Sequence, residues 1–161
     1  MQPELDAISV IVAAFAPIVG KRILDVGCGT GALLRLLSVR GARVVGVEPN
    51  DKVLALARRA APEGAFHPAG AEALPFVDRS FDGAVFLNSL HHVPGADIRP
   101  ALREASCVVK PGSPIVVIEP LAEGRSSPRR ARSRTRRTSA SNTFAASVSR
   151  TWSGFWSVSS P

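Results

Sequence analysis

A short apolar run, Arg22-Ile-Leu-Asp-Val, breaks into three glycines at alternate positions, Gly27, Gly29 and Gly31, and a leucine-rich segment follows at once. Nothing else in the chain limits its folding as strongly. Glycine adopts backbone conformations closed to other residues and lets a neighbouring group approach the peptide closely. A buried strand that ends in such a turn and feeds a helix is the opening of an α/β unit, with the turn at the carboxyl end of the strand. A second apolar run over residues 43–48 ends in Glu48, about 20 residues beyond the turn, the distance at which such units place a ribose-binding acid.

The pattern repeats along the first 120 residues. Residues 4–16 carry Leu5, Ile8, Val12 and Phe15 at helical spacing before Pro17, which stops a helix. Strands are expected over residues 22–27, 43–48, 65–67, 81–87 and 113–119. Helices are expected over 32–37, ending near Gly41 as a C′ glycine, over 53–60 behind a cap at Asn50 or Asp51, and over 98–109 before Pro111 and Gly112. Strands apolar on both faces and separated by helices require a parallel sheet covered on both sides. The fold class is therefore α/β: a doubly wound, mostly parallel sheet with helices on both faces.

In such sheets ligands bind beyond the carboxyl ends of the strands, where this chain places Asp25, the glycines and Glu48. A carboxylate at position 48 can accept both hydroxyls of an adenosine ribose. The glycine run reads GxGxG, whereas a dinucleotide turn reads GxGxxG and sets a pyrophosphate on the helix N-terminus. Asp25 just before the turn suits a cationic ligand better than a pyrophosphate.

Charge separates the chain into two parts. Of the 161 residues, 1–124 hold 12 Lys and Arg against 13 Asp and Glu, a net of −1, while 125–161 hold 8 Arg and no acid. The overall +7 thus belongs to a 37-residue tail rich in Arg and Ser, and nucleic acid is not the expected partner of the domain. Cys28 and Cys107 are too few for a disulfide framework and lack zinc spacing, so no metal is expected. Residues 7–19 are apolar, but Glu4 and Asp6 precede them instead of Lys or Arg, and the run is too short to span a membrane. A cytoplasmic protein is expected.

The motifs resemble a known family in order. Ile23-Leu-Asp-Val-Gly-Cys-Gly-Thr-Gly31 is similar to the first motif of class I S-adenosylmethionine-dependent methyltransferases, and Val44-Val-Gly-Val-Glu-Pro49 to their second-strand acidic motif. Gly70-Ala-Glu-Ala-Leu-Pro-Phe76, Ser80-Phe-Asp82, Asn88-Ser-Leu-His-His-Val93 and Lys110-Pro-Gly112 continue the resemblance over residues 5–123. Its closest flavour is the small-molecule branch related to quinone biosynthesis. The resemblance implies a Rossmann-like methyltransferase fold, S-adenosyl-L-methionine as cofactor and methylation of a small-molecule acceptor. It implies that backbone at Gly27 and Gly29 holds the methionine moiety, with Asp25 near its amino group and Glu48 on the ribose. Ala71 and Glu72 would lie along the adenine, and Asn88 and Leu90 beside the sulfonium. Many relatives carry Asp where this chain has Gly70, which puts one adenine contact in doubt.

Several residues invite plainer readings. His91 and His92 could serve as a base, or one packs near the cofactor while the other caps the next helix; no catalytic residue is assigned. Glu119 faces the same rim and could touch substrate. Cys28 is expected to pack inward, and Thr30 is as good a helix N-cap as a ligand contact. Trp152, Phe155 and Trp156 resemble a partner-binding helix stripe diluted by Gly and Ser.

The domain is expected over 1–124, incomplete, followed by an Arg/Ser tail over 125–161. Three origins suit the tail: a nucleic-acid-binding arm, ordinary disorder, or a reading-frame shift in a GC-rich gene, which generates Arg, Ser, Pro, Ala and Thr in quantity. Nothing after residue 124 reads as the antiparallel hairpin that completes the family's sheet. The fifth strand is then expected to be an exposed edge, with methyl transfer impaired. Two rival functions remain: an NAD(P)-dependent oxidoreductase, against which the GxGxG turn and Asp25 speak, and a non-enzymatic protein that binds nucleic acid through its basic tail.

Overall fold

A computed structural model describes residues 6–120, 144–149 and 155–158, the last two segments by their backbone alone. The order is α1 (Ala7–Ala14), β1 (Arg22–Val26), α2 (Ala32–Val39), β2 (Arg43–Val47), α3 (Asp51–Ala60), β3 (Ala65–His67), β4 (Gly83–Leu87), a 3-10 turn (Leu90–His92), α4 (Ile98–Val108), β5 (Ile115–Pro120), β6 (Phe144–Ser149) and β7 (Phe155–Val158). Every strand and helix expected before residue 120 is present, with ends shifted by a few residues. Asp6 caps α1 by accepting from Ser9 N, and Asn50 caps α3 by accepting from the N–H groups of Lys52 and Val53. Gly41, at φ +88°, closes α2 as the C′ residue, with its N–H on Ser38 O.

The sheet runs β3-β2-β1-β4-β5-β6-β7, with the first five strands parallel. Side chains alternate between two apolar layers. Ile23, Val44, Val85, Val116 and Ile118 pack on one face with α1, α2 and α3, through Ile11, Phe15, Leu34, Leu37 and Leu54. Leu24, Val26, Val45, Val47, Ala84 and Phe86 pack on the other with Ala101, Ala105 and Val108 of α4. The strand order reverses between β1 and β4, so the crevice of a doubly wound sheet opens at their carboxyl ends.

One expectation is overturned. The antiparallel hairpin expected to be missing is supplied by the tail: β6 pairs antiparallel with β5, from Ile115 opposite Ser149 to Pro120 opposite Phe144, and β7 pairs antiparallel with β6. β5 is therefore an interior strand. The physical reason lies in spacing: Phe144, Ala146 and Val148 alternate with Ala145, Ser147 and Ser149, a period of two that suits an extended strand, and β5 offers an unpaired row of backbone groups. Phe155 and Trp156 accordingly lie in a strand and form no helix stripe. Trp152 and residues 125–143, on which the frame-shift, disorder and nucleic-acid readings rest, lie outside the described residues. No helix among the described residues is long and apolar enough to cross a membrane.

Candidate functional site

After Val26 the backbone doubles back through Gly27, Gly29 and Gly31, at φ +75°, +53° and +77°. Gly27 N and Cys28 N both donate to Val47 O at 2.9 Å, which ties the turn to the end of β2. A Cβ on Gly27 would stand 2.5 Å from that of Ser89, while one on Gly29 would meet nothing within 4 Å. The first glycine is required by contact with the protein; the second leaves open space where a side chain would stand. Gly31, not Thr30, occupies the N-cap position of α2, and no side chain caps that helix.

Asp25 is 2% exposed, and its Oδ2 has no hydrogen-bond partner. Burial, and secondarily repulsion from Glu48, pushes its carboxyl up to about 7. A buried acid without a donor lacks the compensation that buried polar groups normally have. Glu48 is differently held: Oε2 accepts from Gly29 N at 3.2 Å and Oε1 from Asn50 N at 3.0 Å. Each oxygen retains acceptor capacity, so the carboxylate is oriented and still open to hydroxyls.

Beyond β3, Ala71 is buried and Glu72 exposed. The Glu72 carboxylate lies over Gly70, where a Cβ would collide with it. At the end of β4, Asn88 adopts φ +52°, unusual for a residue other than glycine. Its N–H donates to Ile118 O at 2.8 Å. The next turn is fastened from β5, because Glu119 Oε1 accepts from Ser89 N and Leu90 N at 3.0 and 2.8 Å while Oε2 pairs with His91 Nδ1. Ser89 Oγ in turn donates to Val26 O at 2.6 Å. Glu119 thus acts as a clasp for the loop, and the cavity wall does not include it.

These segments enclose a cavity of about 650 Å³. Of the residues anticipated from sequence, Asp25, Gly27, Gly29, Glu48, Ala71, Glu72 and Asn88 line it. Leu90 lies outside the wall; its side chain packs against the core of the α4 face and its N–H is taken by Glu119. His92 lines the cavity, whereas His91 turns to Glu119. Cys28 is buried as expected, and burial pushes its thiol up to about 12. Ser89, Val93 and Pro94 also line the cavity and were not anticipated. The signal for Ser89 was indirect, since the glycine at 27 is required by whatever packs against it.

The family model of a methyltransferase domain matches residues 24–117. Among curated proteins, the chain is 40% identical over 111 residues to the O-methyltransferase cnsE of Penicillium expansum, covering 65% of this chain and 40% of that protein. It is 42% identical over 105 residues to the demethylmenaquinone methyltransferase of Thermus thermophilus, covering 62% and 47%. A solved S-adenosylmethionine-dependent methyltransferase from Mesorhizobium loti superposes with a TM-score of 0.62 at 29% identity, over 71% of this chain and 55% of that one. The chain spans less than half the length of these two curated relatives.

Proposed function

The chain belongs to the methyltransferase-domain family, and on that premise we propose that it binds S-adenosyl-L-methionine in this cavity and transfers the methyl group to a small-molecule acceptor. The observation that carries the reading is Asp25, a buried carboxylate with an unpartnered oxygen in the cavity wall. Such a group fits a ligand that brings an ammonium. A pyrophosphate would instead set negative charge beside Asp25 and Glu48, which disfavours a nicotinamide dinucleotide.

In this reading Asp25 accepts from the ligand's amino group, and the glycine turn at Gly27 and Gly29, which line the cavity, packs against the methionine moiety. Glu48, fixed by Gly29 and Asn50, accepts the ribose hydroxyls. Ala71 and Glu72 flank the adenine, and Asn88 borders the sulfonium end. Leu90 acts only through the turn it anchors. When bound, the cofactor would supply an electrophilic methyl carbon, to which the acceptor's lone pair would bond in line as the carbon–sulfur bond breaks and its electron pair returns to sulfur, leaving the neutral thioether S-adenosylhomocysteine. The chain's part in that displacement is alignment, worth several kcal/mol and up to roughly 7–11 in favourable cases. Two thiols without disulfide spacing suit a reducing, cytoplasmic setting.

Titration calorimetry of the full chain against S-adenosylhomocysteine and NAD tests the proposal. Binding of S-adenosylhomocysteine alone is expected; binding of NAD alone would overturn it.

A further inference from the structure

We propose that His92 is the base of the transfer and takes the proton from a neutral phenolic hydroxyl as that oxygen attacks. The inference rests on the methyl-transfer reading above and adds to it an acceptor class and the group that deprotonates it. Strand order places the acceptor. Asp25 stands in β1 and Glu48 just past the end of β2, while β4 adjoins β1 on the side away from β2. A ligand that spans Asp25 and Glu48 therefore leaves free the β4 side of the cavity, which Asn88, Ser89, His92, Val93 and Pro94 line.

Of these five, only His92 has a side chain that takes up a proton near neutral pH, and the Ser89 hydroxyl is spent on Val26 O. The imidazole is held. His92 N donates to Ser89 O at 3.1 Å, within the turn that Glu119 fastens through Ser89 N and Leu90 N. Its ring lies against the His91 ring, with centroids 3.9 Å apart and planes at 44°, and the His91 ring is paired with Glu119. One carboxylate on β5 thus sets both the turn and the neighbour against which the His92 ring rests.

Charge selects the acceptor. Asp25, Glu48 and Glu72 line the cavity, and among the described residues no Lys or Arg does, so a carboxylate or phosphate on the acceptor would meet only like charge. Phe86, Val93 and Pro94 give the wall an apolar part that suits a ring. A neutral amine attacks through its lone pair without first losing a proton. A phenol, with a pKa of about 10 as in tyrosine, gains from a base that works near neutral pH. In the step, the phenolic oxygen bonds to the methyl carbon, its proton passes to the neutral ring of His92, and the carbon–sulfur electron pair returns to sulfur. The ring is exposed and then yields the proton to solvent.

The test uses the full chain saturated with S-adenosylhomocysteine and titrated with 4-nitrophenol, whose absorption moves to longer wavelength when it ionises. With the pH held below the range in which the free compound ionises, the nitrophenolate band is expected in the wild type. It is expected to be absent in His92→Gln, which keeps a hydrogen-bonding side chain but takes no proton. Calorimetry should give both proteins the same affinity for S-adenosylhomocysteine. With S-adenosylmethionine and phenol, formation of methoxybenzene should fall by about a hundredfold or more in His92→Gln, the range of a general base. No band or no methoxybenzene in the wild type, an equal band or rate in both proteins, or loss of S-adenosylhomocysteine binding in the variant alone overturns the role of His92 while the cofactor reading stands. If the wild type binds no S-adenosylhomocysteine, the cofactor reading falls and takes this inference with it.

Discussion

Gly27 and Ser89 touch across the gap between β1 and β4: a Cβ on the glycine would stand 2.5 Å from the serine Cβ, and the serine hydroxyl bonds Val26 O. Two loops that begin 63 residues apart are thereby fixed against each other at the floor of the cavity. The contact separates the two neighbouring glycines by experiment. Gly27→Ala combines a left-handed backbone, costing roughly 1–2 kcal/mol, with a collision, and should lower the melting temperature markedly. Gly29→Ala meets no neighbour, so its stability loss should stay near the backbone cost alone. Its methyl group nonetheless enters the space proposed for the methionine moiety, and affinity for S-adenosylhomocysteine should fall by tenfold or more.

In the proposed reading, ligand binding should depend on pH through Asp25. Its folded-state carboxyl sits at about 7 because of burial and then Glu48, above the unfolded value near 3.9. A raised acid is protonated in the folded chain and ionised in the unfolded one between those limits, so its contribution to stability declines as pH rises from about 4 to 7 and levels off above. Asp25→Asn should therefore be the more stable protein at pH 8, with the melting-temperature gap narrowing toward pH 4. An ammonium ligand requires the ionised form. Wild-type affinity for S-adenosylhomocysteine should weaken by up to about tenfold per unit below pH 7, and Asp25→Asn should bind weakly without that slope, as calorimetry at pH 6, 7 and 8 would record.

The clasp at Glu119 predicts a difference between two substitutions. Glu119→Ala strands the N–H groups of Ser89 and Leu90, at a cost of about 1–3 kcal/mol for an unsatisfied group. Glu119→Gln keeps an oxygen for both donors and should lose less. Denaturant unfolding of both variants, with S-adenosylhomocysteine binding measured beside it, checks the order wild type, Gln, Ala.

Much of this site is legible in the order of residues alone. Asp25 and Glu48 follow from position, because an acid at the end of each of two strands flanking a glycine turn has to face the same crevice. Glu119 does not follow. As a strand-end acid at the rim it looks like a substrate contact, and only its partners, 28–30 residues away, reveal a fastening role. Leu90 misleads for a related reason: the chain curls into a 3-10 turn after Asn88, and its side chain swings away from the cavity. The hairpin is obscured by composition, since serine and arginine dominate residues 125–161 and conceal the short alternations at 144–149 and 155–158.

The pairing of β6 with β5 can be read from amide exchange. A strand at the sheet edge protects only the alternate N–H groups that face its single neighbour. With β4 on one side and β6 on the other, both sets of N–H groups along β5 should exchange slowly. Fast exchange at every second residue of Ile115–Pro120 would show that β5 is an edge.

The burial of Cys28 carries a practical corollary. Gly46 packs so close that even a Cβ there would sit 2.7 Å from the Cys28 sulfur, Cys28 is buried, and the thiolate that alkylating reagents require is suppressed. Cys107, on the exposed side of α4, is free to react. The natural sequence therefore offers a single handle for a fluorophore or spin probe, on the helix layer and outside the lining of the cavity, so ligand occupancy can be followed without first engineering a cysteine away.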